Sequence, residues 1–255
     1  MINRLGFNNE GHERALRRLA DRAARGGIVG VNIGANKDSS DRIADYEAGV
    51  RRFARHASYL TINISSPNTP GLRTMQAREV LAELLARIVR ARDTAAETGG
   101  RSVPLLLKIA PDLHEGDLED IAAEVTEKGI EGVIVSNTTL TRFGLADSPQ
   151  AREEGGLSGR PLFERSTAVL ARMRRLLGPD RVIVGVGGVN SAETALEKIR
   201  AGADLVQLYT GMIYAGPSLP ATILHGMIRH LDEEKIGSIS ELRDRRLDHW
   251  ANVPI

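Results

Sequence analysis

Short apolar runs rich in β-branched residues alternate along this chain with longer amphipathic stretches. Strand-like runs fall at residues 28–33, 59–64, 104–109, 132–136, 182–186 and 205–209, each bounded by glycine or polar turn residues. Between them the spacing predicts helices. One covers residues 10–25, with Ala15, Leu16 and Leu19 on one face; another covers 80–96, with Leu81, Leu84, Leu85, Ile88 and Val89 aligned; a third covers 118–128 and stops at Gly129. Continuous apolar strands joined by helical crossovers indicate a parallel sheet covered on its outer side. Periodicity therefore leaves two α/β architectures open, a (β/α)8 barrel and a doubly wound open sheet.

The polar, glycine-rich and asparagine-rich segments sit after the strands and hardly at all after the helices, as in a barrel whose strand C-termini carry the chemistry. Val182-Ile-Val-Gly-Val-Gly-Gly-Val189 runs into a helix that opens near Ser191, and Leu205-Val-Gln-Leu-Tyr-Thr-Gly211 follows one helix later. Glycines there would bare backbone N–H groups to an anion, with a helix N-terminus behind them. Tight packing beneath a helix is the alternative reading of the same glycines. A complete barrel needs eight strands, and at about 30 residues per βα unit the two not found would occupy roughly 60 residues. The expectation is a single partial barrel domain over residues 1–255 that lacks the first two strands.

Composition narrows the chemistry. Lysine and arginine number 34 against 33 acidic residues, a net charge of +1, so no global field favours nucleic acid. The chain has no cysteine, hence no disulfide, thiolate nucleophile or zinc–sulfur site. Its six histidines show no i, i+4 pair or His-Glu motif, and no metal is assigned. No apolar run approaches the roughly 20 residues that span a bilayer, so the chain by itself reads as soluble and cytoplasmic. Arg87, Arg90 and Arg92, with Arg172, Arg174 and Arg175, read as solvated basic faces, with contact to acidic lipid as the alternative. The segment 140–154, with Gly144 and Pro149, reads as a lid or a mobile surface loop, and Trp250 as an anchor for the tail.

Four strand ends carry candidate chemistry. Residues 62–73 pack two asparagines, two serines and two prolines into a stretch that cannot be helical. Amides there would suit a planar heterocycle, and a serine at the tip could move a proton; an Asx-rich turn is the plain alternative. Lys108 lies one residue before the end of an apolar strand and so points into a barrel or cleft. It suits the negative charge of a reduced flavin, a Schiff base, or a stem snorkelling to the rim. Ser136-Asn-Thr-Thr139 ends the next strand, and Asn32 stands near the end of the first.

Several long motifs, in order, carry a family resemblance: Asn3-Arg-Leu-Gly-Phe-Asn-Asn9, Gly30-Val-Asn-Ile-Gly34 with Asn36-Lys-Asp38, Asn63-Ile-Ser-Ser-Pro-Asn-Thr-Pro-Gly-Leu-Arg73, Lys108-Ile-Ala-Pro-Asp112 and Gly155-Gly-Leu-Ser-Gly-Arg-Pro-Leu162. Together they resemble the dihydroorotate dehydrogenases. That family divides by its base, cysteine in the soluble class and serine in the quinone-linked class, and Ser66 stands at that position here. The resemblance implies an FMN-dependent TIM barrel that oxidises dihydroorotate to orotate in pyrimidine biosynthesis and passes electrons to a quinone.

Residue by residue, it implies that Ser66 is the catalytic base. Asn3, Arg4, Leu5, Gly6, Phe7, Asn63, Asn68, Asn137 and Thr138 would contact the substrate. Asn32, Asn63, Lys108, Ser136 and Gly159 would lie against FMN, with its phosphate on Gly188, Tyr209 and Thr210. The family also carries, ahead of the position of Met1, two strands and a helical region that meets the membrane and quinone. The resemblance thus implies a peripheral enzyme on the cytoplasmic side of a membrane, truncated here at its N-terminus. Two alternatives stay open at this point: an inactive fragment of such an enzyme, and another flavin-dependent pyrimidine oxidoreductase.

Overall fold

The computed structural model describes residues 1–69, 71–99 and 101–255; Pro70, inside the 63–73 motif, lies outside the described residues. Its strands are β1 (Ile2–Asn3), β2 (Gly30–Ile33), β3 (Tyr59–Asn63), β4 (Leu105–Ile109), β5 (Gly132–Val135), β6 (Gly156–Leu157), β7 (Val182–Val186) and β8 (Leu205–Gln207). Six of these fall within two residues of the predicted runs, with helices between them. The two-residue strands β1 and β6 were not anticipated. The chain forms two compact units, a smaller one (Leu5–Lys108 with Asp120–Gly132) and a larger one (Met1–Arg4, Ile109–Glu119 and Val133–Ile255).

In the smaller unit β2 pairs with β3 and β3 with β4, all parallel, in a register that sets Asn32 beside Thr61 and Asn63 beside Lys108. Because side chains alternate across a strand, Ile33, Leu60, Ile62, Leu105 and Leu107 share the opposite face. That face meets helix Arg42–Phe53, where a Cβ on Gly49 would lie 2.6 Å from Ile33. Each fully buried leucine or isoleucine there contributes about 1.5–3 kcal/mol. The helix begins where it does because Asp41 is extended and its carboxylate accepts the Ala44 N–H at 3.0 Å. Helix Arg78–Gly99 packs on it and buries Leu81, Leu84, Leu85 and Ile88 of the predicted face, whereas Val89 is only half-buried. The first helix, His12–Ala23, buries no residue completely; Ala15, Leu16 and Leu19 are only half-buried. Helix Glu115–Glu127 ends before Gly129, whose φ of 67° suits a residue without a Cβ.

In the larger unit β7 and β8 run parallel, with Val184 beside Leu205 and Val186 beside Gln207. Helices Phe163–Leu177, Ala192–Arg200 and Leu219–Glu234 belong to this unit. β1 and β6 form an antiparallel pair, Ile2 opposite Leu157. Trp250 anchors the tail: its indole N–H donates to Glu197, and its ring meets Phe163 edge-on at 6.0 Å.

One surface expectation is overturned. Arg174 is 2% exposed and donates to the carbonyls of Gly202 and Gly178 at 2.8 Å and of Arg181 at 2.9 Å, besides pairing with Asp204. It lies four residues after Leu170 and three before Leu177, on the apolar face of its helix, so its charge is neutralised inside the protein instead of by solvent.

Candidate active site

The parallel register of the smaller unit is what gathers its polar candidates. Asn32, Thr61, Asn63 and Lys108 share the strand face opposite the helix-packed one, close to the strands' C-terminal ends. Asn32 is exposed, Asn63 buried and Lys108 half-buried. Burial pushes the Lys108 ammonium below its usual pKa, and among the described residues it forms no ion pair. A lysine in that state favours an anionic or electron-rich ligand.

The turn after β3 is fixed from three sides. The buried Tyr46 hydroxyl donates 2.8 Å to the Asn63 carbonyl, and burial raises its phenol well above the ordinary range. The Asn63 side-chain oxygen accepts from the Ser65 N–H at 3.2 Å and its hydroxyl at 3.0 Å, closing an Asx turn. Arg73 reaches back to the Ser65 carbonyl at 3.3 Å. Ser66 sits buried at the tip, where its Oγ accepts the Asn68 N–H at 3.3 Å. Among the described residues its hydroxyl donates to none. Phe7 lies over Gly34, where a Cβ would come 2.7 Å from the ring; Gly6 has φ 68°, and Leu5 is 64% exposed.

The larger unit holds the remaining candidates. Asn3 ends β1, and Arg4 pairs with Glu153 at 2.8 Å. Ser136 is buried and follows β5 across a cis peptide bond; its N–H donates to the Val186 carbonyl at 3.2 Å. The Asn137 N–H donates to the Ile109 carbonyl at 3.0 Å, and its side-chain oxygen accepts the Thr138 N–H at 2.8 Å. Asp112 braces this loop by accepting from the Thr139 hydroxyl and from the Leu140 N–H at 3.0 Å. Sequence reading treated Asp112 only as part of a motif, because a contact spanning 27 residues leaves no local signature.

Around the expected phosphate loop, Gly187 and Gly188 have φ of 113° and 75°. A Cβ on Gly188 would lie 2.8 Å from the Phe163 Cα, so the backbone fills a cradle that no side chain could enter. At Gly159, φ 85°, a Cβ would lie 3.1 Å from Thr210 Cγ2, and the Thr210 hydroxyl donates to the Ser158 hydroxyl at 2.9 Å. Tyr209 occupies the position before helix Thr210–Ala215 and is 66% exposed. Behind the glycines the helix opens after Ser191, where the spacing predicts it. Ser191 accepts the Thr194 N–H, and the Thr194 hydroxyl accepts the N–H groups of Ser191 and Asn190, so these amides are consumed by the helix's own capping box. A cleft of about 700 Å³ opens against Gly188, bordered by Arg160, Phe163, Asn190 and Ser191.

Residues 140–154 form a stitched loop. Arg142 donates to the carbonyls of Leu140 at 2.9 Å, Ala151 at 3.1 Å, Glu153 at 2.9 Å and Gly155 at 2.8 Å. Among the described residues no group of three or more histidines or carboxylates could hold a metal ion, and no helix is long and apolar enough to cross a membrane.

Comparison with known proteins agrees with the motifs. The dihydroorotate dehydrogenase family profile matches residues 1–231. The dihydroorotate dehydrogenase (quinone) of Mesorhizobium japonicum is 69% identical over 255 residues, 100% of this chain and 70% of that protein. The protein of the same name from Rhizobium etli is 66% identical over 251 residues, 98% of this chain and 69% of its own length. A crystal structure of DHODH from Eimeria tenella in complex with ferulenol superposes with a TM-score of 0.88 at 35% identity, covering 97% of this chain and 71% of that one. The ligand-free form gives the same TM-score at 37% identity, covering 97% of this chain and 74% of the other. The fold class is accordingly that of the (β/α)8 TIM barrel, represented here by six parallel-type strands and their helices. The chain belongs to the dihydroorotate dehydrogenase family.

Proposed function

We propose that the chain oxidises dihydroorotate to orotate in pyrimidine biosynthesis, with FMN as cofactor and a quinone as final electron acceptor. The observation that carries this reading is Ser66: a buried serine at the tip of a triply braced turn, in the position where the quinone-linked class has its base. Bound FMN would supply a two-electron acceptor, taking the hydride from C6 of the substrate and yielding the electrons to the quinone. The remaining work falls to the chain's own residues.

Ser66 Oγ takes the proton from C5, so that the C5=C6 bond forms as the C6 hydride departs. A serine is a weak base in water, and Ser66 has no described acceptor for its own proton. Its turn must therefore exclude bulk solvent and pass that proton through a bound water or hydroxyl. Asn63, Asn68, Asn137 and Thr138, with residues 3–7, offer donors and acceptors matching the pyrimidine's amide edges. Lys108, without a carboxylate partner among the described residues, suits the negative charge a reduced flavin develops, and Asn32, Asn63, Ser136 and Gly159 would hold the ring system. The Gly188 cradle fits a phosphate approached by backbone, with Tyr209 and Thr210 beside it.

The test is a visible spectrum of the purified chain with FMN, followed by dihydroorotate without oxygen. Flavin bands that bleach with dihydroorotate in the native chain, and stay bound but unbleached in Ser66→Ala, are expected. Unchanged bleaching in Ser66→Ala would remove that residue from its role. A native chain that holds FMN but ignores dihydroorotate would favour a different pyrimidine substrate.

A further inference from the structure

Lys198 is fully buried on helix Ala192–Arg200 and is absent from every role assigned above. Its stem begins under β7, where a Cβ on Gly185 would lie 3.2 Å from the Lys198 Cβ. Its ammonium ends beneath the glycine loop, 2.6 Å from the Ser166 hydroxyl and 4.9 Å from the centre of the Phe163 ring. Those two neighbours are the floor of the loop. Ser166 Oγ stands 3.4 Å from the Gly187 carbonyl and would be 2.5 Å from a Cβ there, while Gly188 rests on the Phe163 backbone. Among the described residues Lys198 forms no ion pair. Burial depresses its pKa well below the usual lysine value.

A buried lysine without a carboxylate is expensive, and a leucine or methionine would pack the same space without that penalty. What the lysine adds is a rigid donor to Ser166 and a latent positive charge on the far side of a cradle shaped for an anion. We propose that Lys198 is a positioning residue of the phosphate loop: through Ser166 it holds Gly187 and Gly188 in place, and it gains its counter-charge when the flavin phosphate occupies the loop. The proposal rests on the reading that Gly188, Tyr209 and Thr210 receive that phosphate.

The experiment compares FMN with riboflavin, which lacks the phosphate, on the native chain, Lys198→Met and Ser166→Ala, by fluorescence titration and by calorimetry in two buffers of different ionisation enthalpy. The native chain should bind FMN more tightly than riboflavin and take up protons with FMN only. Lys198→Met should reduce the FMN-to-riboflavin preference by about tenfold and abolish the proton uptake, with riboflavin affinity unchanged. Ser166→Ala should reduce the preference while keeping the uptake. An unaltered preference in either folded variant, or an equal loss for both ligands, overturns the proposal and leaves the phosphate site intact. A native chain that binds riboflavin as tightly as FMN overturns the phosphate site and this proposal together. If Lys198→Met does not fold, the Ser166→Ala ratio decides.

Discussion

Lys198 and Arg174 are two buried basic side chains with different surroundings. Arg174 meets carboxylates and carbonyls at every donor, whereas Lys198 meets a hydroxyl and an aromatic face. The difference has a consequence for pH. Burial lowers the folded-state pKa of Lys198, so between that lowered value and 10.5 the unfolded chain binds the extra proton, and stability rises with pH across the window. In Lys198→Met that contribution is gone. Denaturation of the flavin-free protein at a series of alkaline pH values should show native stability gaining on the variant as pH climbs towards 10.5; a gap independent of pH would mean that Lys198 stays charged in the fold. The burial of Arg174 runs against its sequence reading as part of a solvated basic face, and Lys198 drew no reading at all, although Arg174 falls four residues after Leu170 and Lys198 three after Ala195 on helix faces that the fold buries. A charged residue on an apolar stripe signals burial, but its partners, scattered over distant segments, cannot be read from a linear pattern.

The strands were the most readable elements, because β-branched runs ended by glycine or asparagine dictate both their type and their ends. The register of β2, β3 and β4 then gathers Asn32, Asn63 and Lys108, a grouping the sequence marked only as three separate strand ends. The loops were readable by composition alone. The 140–154 segment is held by one guanidinium, because Arg142 has a planar fork of donors and five carbonyls within reach. Arg142→Ala is expected to speed amide hydrogen exchange at least tenfold across this loop, roughly the loss of 1.4 kcal/mol of local stability, while FMN affinity stays put. Exchange that matches the native chain would show the loop to be held by its own turns, such as the Ser148 cap on Ala151.

At the scale of the whole chain, family membership was legible because several long motifs recur in order, and the alternation of strand and helix bounded the fold to two architectures. Packing density was not legible: the first helix has the amphipathic pattern of a core helix yet buries nothing completely. Apolar surface also remains where β2 and β8 begin, with Ile28 83% exposed and Leu205 58% exposed. Among the described residues β2 pairs with β3 alone and β8 with β7 alone, so each presents an open edge. Open edges beside exposed apolar side chains invite pairing between molecules. Light scattering of the purified chain should therefore rise steeply with concentration, and Leu205→Lys with Ile28→Lys should suppress the rise; equal scattering in the substituted chain would place the association elsewhere.

The pairing of β1 with β6 bears on how the protein reaches its working form. Only two residues on each side meet, and the adjoining contact of Met1 with Ser158 spans 157 positions of chain. Closing so long a loop for so few hydrogen bonds is entropically unfavourable until the intervening helices and strands have folded and shortened the effective path. The segment beginning at Asn3 should thus be the last to dock during folding and the first to let go in the native ensemble. Such timing would let the segment that carries Asn3 part from β6 and return while the rest of the chain stays folded.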